Sequence, residues 1–298
     1  MKYVVTGGAG HISKPLVLAL LKAGKQVTVI GRNPEHLKEL TAQGATAAVG
    51  SVEDGSFLAK TFNDADAVYT MVPPKWDVSD WKGYIGSIGQ LYADALKKSR
   101  VKYVVNLSSV GAHMPTECGP VSGLYRVEQA LNGLSGVAVR HLRPGFFYEN
   151  LLANIGMVKN MNIMGGNYGD RNVKMVLVEP ADIASVAAKE LLTLNFTGHS
   201  VLYIASDERK TGDIAAVLGK AVGKPDLPWV EFSDEQAIQG MKQAGLSEEV
   251  SRNYAEMGRA IRTGEMTADY WKNHPDTLQA TKLEDFARIF AAVYNNGH

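Results

Sequence analysis

The chain has 298 residues, 45% hydrophobic and 21% charged, which is ordinary globular usage for one large domain or two interlocked lobes. Lys plus Arg number 31 and Asp plus Glu number 31, so no net field recruits nucleic acid or an anionic membrane, and direct nucleic-acid binding is not expected. The one cysteine, Cys118, excludes a disulfide within the chain and fits a reducing compartment, so the expected location is the cytoplasm.

Met1-Lys2 leads straight into the strand-like run Tyr3-Val4-Val5-Thr6, which is read as the absence of a secretory leader. Val5-Thr6-Gly7-Gly8-Ala9-Gly10-His11-Ile12-Ser13 follows at the end of that run and opens a helix over Pro15–Ala23. A tight glycine turn lets backbone approach a pyrophosphate, and the helix start supplies amide donors and a favourable dipole. The third position of this fingerprint is Ser13, small enough for close helix-strand packing. The longest clean apolar run, Pro15 to Leu21, falls far short of the ~20 residues that span a bilayer.

The second strand, Val27–Ile30, ends in Ile30-Gly31-Arg32-Asn33. An NAD site usually places an acid here for the ribose hydroxyls; Arg32 instead offers a cationic fork for a 2′-phosphate. The expected cofactor is therefore NADP(H), with NAD(H) the lesser alternative. Helix Pro34–Gln43, strand Thr46–Val49, helix Ser56–Phe62 and strand Ala67–Met71 continue the alternation. Asp54, Asp64 and Asp66 read as solvated or capping residues. Trp76, Trp81 and Tyr84 follow the fourth strand at the sheet edge where pockets form, so they suit either core packing or a wall for a flat aromatic ligand.

Helix Ile88–Lys98 and strand Tyr103–Leu107 come next. Leu107-Ser108-Ser109-Val110-Gly111 lightly resembles a hydrolase elbow but lacks the glycine two before the serine, and a dinucleotide cleft explains it better. His113 and Cys118 have no partners at zinc spacing and read as exposed loop residues; no metal is expected. Strand Val137–Val139, helix Pro180–Leu194 and strand Val201–Ile204 extend the alternation, with a loop-rich stretch at 151–176 between them. Ser247-Glu248-Glu249 opens a helix with Val250, Tyr254, Met257 and Ile261 on one face. Thr281-x-x-Glu284 reads as a capping box before Leu283, Phe286, Phe290 and Val293.

The pattern predicts an α/β protein: a Rossmann-type doubly wound parallel sheet with a smaller, mostly helical C-terminal lobe. Residues 1–150 and 177–205 are assigned to the NAD(P)-binding domain, and 151–176 and 206–298 to a substrate-binding lobe.

The glycine turn resembles that of the NmrA-like branch of atypical short-chain dehydrogenases/reductases. So do Val104–Ala112, Leu142–Leu151 and Val178–Ala184, in order and spacing across about residues 1–205. The segment Arg143-Pro144-Gly145-Phe146 running to Asn150 is the most family-specific. The resemblance implies that Gly7, Gly10, His11 and Ile12 line a pyrophosphate, that Arg32 faces the adenosine phosphate, and that Ser51 and Val52 lie near adenine. It places Met71, Val72 and Pro73 along the ribose, Ser108 near the nicotinamide ribose and Pro144 to Phe147 near the ring. Members include quinone and dye reductases, and redox-sensing regulators that bind dinucleotide without turning it over.

Orthodox members of the wider group use a Tyr-x-x-x-Lys pair on the helix after the fifth strand, where lysine lowers the tyrosine pKa. Registered on Glu128, those positions hold Pro120 and Leu124; one residue on, they hold Val121 and Tyr125. Tyr125 with Gln129 has the spacing without the cation. Ser108 and Tyr125 are thus the catalytic candidates. Trp76, Tyr84, Phe146, Phe147, Asn150 and Leu151 are the substrate-pocket candidates. Two functions are expected: an NADPH-dependent reductase of a small aromatic or quinone-like acceptor, or a dinucleotide sensor that acts through a protein partner.

Overall fold

The computed structural model describes residues 1–296. Strand and helix alternate from β1 (Lys2–Val5) through α1 (Ser13–Lys22), β2 (Gln26–Gly31), α2 (Pro34–Ala42), β3 (Thr46–Val49), α3 (Gly55–Phe62) and β4 (Ala67–Thr70). The alternation continues with α4 (Trp81–Lys97), β5 (Tyr103–Leu107), α5 (Pro120–Asn132) and β6 (Ala138–Pro144). The short elements β7 (Phe146–Phe147), a 3-10 helix over Tyr148–Asn154, α6 (Ile155–Asn160), β8 (Met164–Gly166) and β9 (Lys174–Val178) interrupt the rhythm, which α7 (Pro180–Thr193) and β10 (His199–Ile204) resume. Then come β11 (Asp207–Lys210), α8 (Thr211–Ala221), β12 (Trp229–Glu231), α9 (Asp234–Gln243), α10 (Glu248–Arg262), α11 (Ala268–Lys272) and α12 (Leu283–Asn296).

Seven strands form one parallel sheet in the order β10-β6-β5-β4-β1-β2-β3. Their runs are apolar without alternation because helices cover both faces. Tyr3, Val5, Tyr69 and Val105 pack with α1, α2 and α7 on one side. Val4, Val68 and Val104 pack with α3, α4 and α5 on the other. The strand order reverses between β1 and β4, so the carboxyl ends of these two strands open a crevice, the usual ligand position in such sheets. This is the doubly wound sheet expected from the sequence.

Two small sheets lie beyond it, β11-β9-β7 and β12-β8. With α8, α10 and α12 they enclose a separate core around Tyr148, Met175, Leu218, Tyr270, Phe286 and Phe290. Leu177 and Val178 therefore belong to the β11-β9-β7 sheet, while α7 packs on α1 and β10 edges the large sheet. Among the described residues no helix is long and apolar enough to cross a membrane.

Several local expectations change. α4 begins at Trp81, seven residues before Ile88, because the Asp80 side chain accepts from Gly83 N at 2.8 Å and caps it there. β6 runs on to Pro144, so Arg143 lies in a strand. Ser247 caps α10 as expected, but Thr281 does not cap α12. Its hydroxyl lies 3.1 Å from Asp182 Oδ1, and Asp285 accepts from Lys282 N instead. Val293 is exposed rather than in the core stripe. Cys118 is fully buried, not an exposed loop residue, and burial pushes its thiol up to about 12. His113 is half-buried, and burial lowers its pKa. The three aspartates are structural: Asp54 caps α3, Asp64 meets Arg100 at 2.8 Å and Asp66 accepts from Lys2 N at 2.7 Å.

Candidate functional site

The crevice at the β1–β4 switch is a cavity of about 750 Å³. It collects residues from four loops: Gly7 and Gly10 after β1, Arg32 after β2, Ser51 and Val52 after β3, and Met71 and Pro73 after β4. Tyr84, from the first turn of α4, closes one wall.

The floor is built by the glycine turn. Gly7 has φ +95°, and a Cβ there would lie 2.4 Å from Ser13 Oγ and 3.0 Å from Met71. Only glycine fits this turn without strain. Ser13 is buried and donates to Thr6 O at 2.8 Å, so the serine at the third fingerprint position ties the helix start to β1. Thr6 Oγ1 accepts from Met71 N at 2.9 Å, and Tyr92 donates to Met71 O at 2.6 Å, which fixes the β4 end against the turn. No side chain caps the first turn of α1; Lys14 N donates to Gly10 O at 2.9 Å and Pro15 has no N–H, so it is the positive dipole end of the helix that remains for an anion. A pyrophosphate and an adenosine fit this cradle chemically.

Arg32 is exposed and, among the described residues, makes no ion pair. Beside it, Asn33 caps α2 by accepting from Glu35 N at 2.9 Å. Glu53 and Lys75, not singled out in the sequence, line the same cavity. Lys75 Nζ lies 3.0 Å from Glu53 Oε2 and 5.1 Å from the centre of the Tyr84 ring. Tyr84 donates to Glu53 at 3.2 Å. Burial first, then the Glu53 carboxylate, pushes the Tyr84 phenol up to about 12, so it keeps its proton.

The β5–β6 end is different. Ser108 is buried and donates to Glu128 Oε1 at 2.5 Å. Glu128 accepts both nitrogens of the Arg143 fork, at 3.0 and 2.7 Å. Arg143 also donates to Tyr203 and to Asp269, at 3.0 and 3.1 Å, and Tyr203 bonds to Asp269. Burial works against the charge on Arg143, but the Glu128 partner outweighs it and holds the guanidinium protonated. Glu128 was legible as a carboxylate on the apolar stripe Leu124, Val127, Leu131 of α5, a position that requires a partner.

The other candidates scatter. His11 is exposed and meets Glu149 at 2.8 Å, while Ile12 is buried at the start of α1. Val72 packs toward α4. Pro144 is buried in β6 and Phe147 packs on the large-sheet core. Phe146 packs against the second core, edge-on to Tyr168 at 5.6 Å. Trp76 and Asn150 are exposed. Leu151 is 1% exposed inside the second core, so it presents no surface to a ligand and is not a pocket wall. Tyr125 is half-buried on α5, a helix that carries no lysine. Trp81 is buried against Tyr254 at 5.1 Å and serves packing.

The model of the NmrA-like family matches residues 2–256. Among solved structures, a new type of NADPH-dependent quinone oxidoreductase from Escherichia coli is 21% identical with a TM-score of 0.79, covering 96% of this chain and 98% of that one. Triphenylmethane reductase of Citrobacter sp., complexed with NADP(H), is 20% identical with a TM-score of 0.78, covering 98% and 100%. Among curated relatives, a probable pinoresinol-lariciresinol reductase of Arabidopsis thaliana is 24% identical over 218 residues, covering 66% of each chain. A UDP-glucose 4-epimerase of Streptomyces lividans is 26% identical over 192 residues, covering 58% of this chain and 55% of that one. The chain thus spans less than two thirds of the curated relatives it matches. It belongs to the NmrA-like family.

Proposed function

We propose that this NmrA-like chain is an NADP(H)-dependent reductase of a flat, conjugated acceptor such as a quinone, working in the cytoplasm. The observation that carries the cofactor reading is the cavity itself: a helix start without a side-chain cap and a turn that only glycine fits at one side, and Arg32, unpaired among the described residues, at another. The bound cofactor would supply the hydride. The relatives named for NADPH-dependent quinone and triphenylmethane reduction support that assignment.

The chain's own groups narrow the acceptor. The Ser108 hydrogen is committed to Glu128, so the hydroxyl presents only lone pairs. α5 offers no tyrosine-lysine pair. An isolated ketone or aldehyde needs a proton donor as hydride arrives; a quinone or delocalised dye needs much less acid catalysis. The family resemblance implies Phe146 and Phe147 near the nicotinamide ring, and both are half-buried, so they are the aromatic side chains proposed to meet such an acceptor. Steady-state NADPH oxidation with a panel of quinones and dyes should show turnover, and a simple ketone should show little. Firm NADPH binding without turnover of any acceptor would reject the reductase reading.

The same closed β5–β6 network favours one second reading, a dinucleotide sensor that does no chemistry. It requires clearly different affinities for NADPH and NADP+, because a ligand pair bound equally shifts no equilibrium. Titration of both forms decides it.

A further inference from the structure

We propose that Glu53 and Lys75 set the strength of phosphate recognition in the cavity: Glu53 competes for the Lys75 ammonium, which a 2′-phosphate on the adenosine ribose would otherwise share with Arg32. The inference rests on the NADP(H) reading above and names residues that the reading did not use.

The geometry joins two loops across one cavity. Glu53 comes from the turn between β3 and α3, Lys75 from the segment between β4 and α4, and both line the space that Arg32 lines. The Lys75 ammonium lies 3.2 and 3.0 Å from the two Glu53 oxygens. Tyr84 holds the carboxylate from the other side at 3.2 Å. Arg32 is close enough for its charge to pull against the upward push on the Tyr84 phenol. Among the described residues Glu53 is the one carboxylate lining this cavity.

A phosphate dianion entering here meets, among the described residues lining the cavity, the cation of Arg32 without an ion-pair partner, the Lys75 cation already neutralised, and the negative charge of Glu53. The Lys75 and Glu53 side chains are 32% and 39% exposed, so water screens their attraction and the pair separates at modest cost. Lysine is a point charge on a flexible stem with three donors, able to re-aim from carboxylate to phosphate; the guanidinium of Arg32 is a fixed fork. Glu53→Gln keeps an acceptor for Tyr84 but removes the charge, which releases Lys75. A 5′-phosphate would be held at the glycine turn instead and would feel this exchange much less.

The test is calorimetric titration of two probes, adenosine 2′,5′-bisphosphate and 5′-AMP, into the full chain and three variants. Glu53→Gln should bind the bisphosphate about five- to tenfold more tightly, while AMP changes by less than about twofold. Lys75→Met should weaken the bisphosphate by a similar factor and leave AMP alone. The double variant should bind the bisphosphate clearly more weakly than Glu53→Gln alone, because most of the tight binding in Glu53→Gln comes through the released lysine. Glu53→Gln weakening both probes equally would make Glu53 a contact to the base and overturn the proposal. So would an unchanged bisphosphate affinity, or a double variant that binds the bisphosphate as tightly as Glu53→Gln alone. If the unsubstituted chain binds neither probe, the NADP(H) reading itself fails, and this inference with it. Matching thermal melts of all four proteins keep folding out of the comparison.

Discussion

Along the carboxyl edge of the sheet, the β1–β3 end leaves Arg32 exposed and, among the described residues, unpaired around an open cavity, whereas the β5–β6 end ties buried Ser108, Glu128, Arg143 and Tyr203, with part-buried Asp269, into one network. Charges at the first end reach solvent: Arg32 has no ion-pair partner among the described residues and the Lys75–Glu53 pair is screened by water, so both can re-aim toward a ligand. Charges at the second are desolvated and complete each other, so their loss is felt by the fold before any ligand. Substitutions should therefore separate: those at β5–β6 register in stability, and those at β1–β3 register in binding.

The sharpest break would come at Glu128. Glu128→Ala strands the Arg143 guanidinium, which is 9% exposed, and should cost about 3–5 kcal/mol in urea unfolding at neutral pH. A loss below about 1 kcal/mol would mean that water or the Asp269 carboxylate replaces Glu128 freely, and that the two ends are not so different.

Acid probes the satisfied half by another route. His141 is buried, accepts at Nδ1 from Asn106 and faces Asn132 through Nε2, so it is neutral when folded. Burial lowers its pKa to about 4, below the ordinary value of 6.5. The unfolded chain therefore takes up the proton first. Stability should be intact above about pH 6.5 and fall as the pH drops toward 4. His141→Asn should flatten that part of the pH–stability curve, and an unchanged slope would remove His141 as its source.

The smallest effect on the fold belongs to the open end. Arg32→Ala should leave unfolding within about 0.5 kcal/mol of the unsubstituted chain. It should still erase most of a preference for NADPH over NADH of roughly ten- to hundredfold, equivalent to about 1.4–2.8 kcal/mol. Calorimetry with both cofactors checks it. Equal affinities in the unsubstituted protein would make Arg32 an ordinary surface arginine.

Local pattern was enough for the sheet and for the phosphate-loop turn, because strand burial and turn conformation are written in neighbouring residues. Continuous runs such as Ala67–Thr70 announce strands covered on both faces, and Gly7 announces a turn that other residues cannot make. The same holds for the helix cap at Ser247. Thr281-x-x-Glu284 misled because a hydroxyl within reach of Asp182, 99 positions away, makes its bond there instead. Cys118 and Leu151 sit in loop-like sequence yet are buried, since the second core closes over them. No spacing rule links Glu53 to Lys75, or Ser108 to Glu128 and then to Arg143 and Asp269. Those pairings depend on which strand ends the parallel crossovers bring side by side, and on how deeply each charge is taken out of water. That is why the sequence pointed to a dinucleotide turn and one phosphate-seeking arginine, while only the tertiary structure decided which other charges are free to meet a ligand and which are spent on the fold.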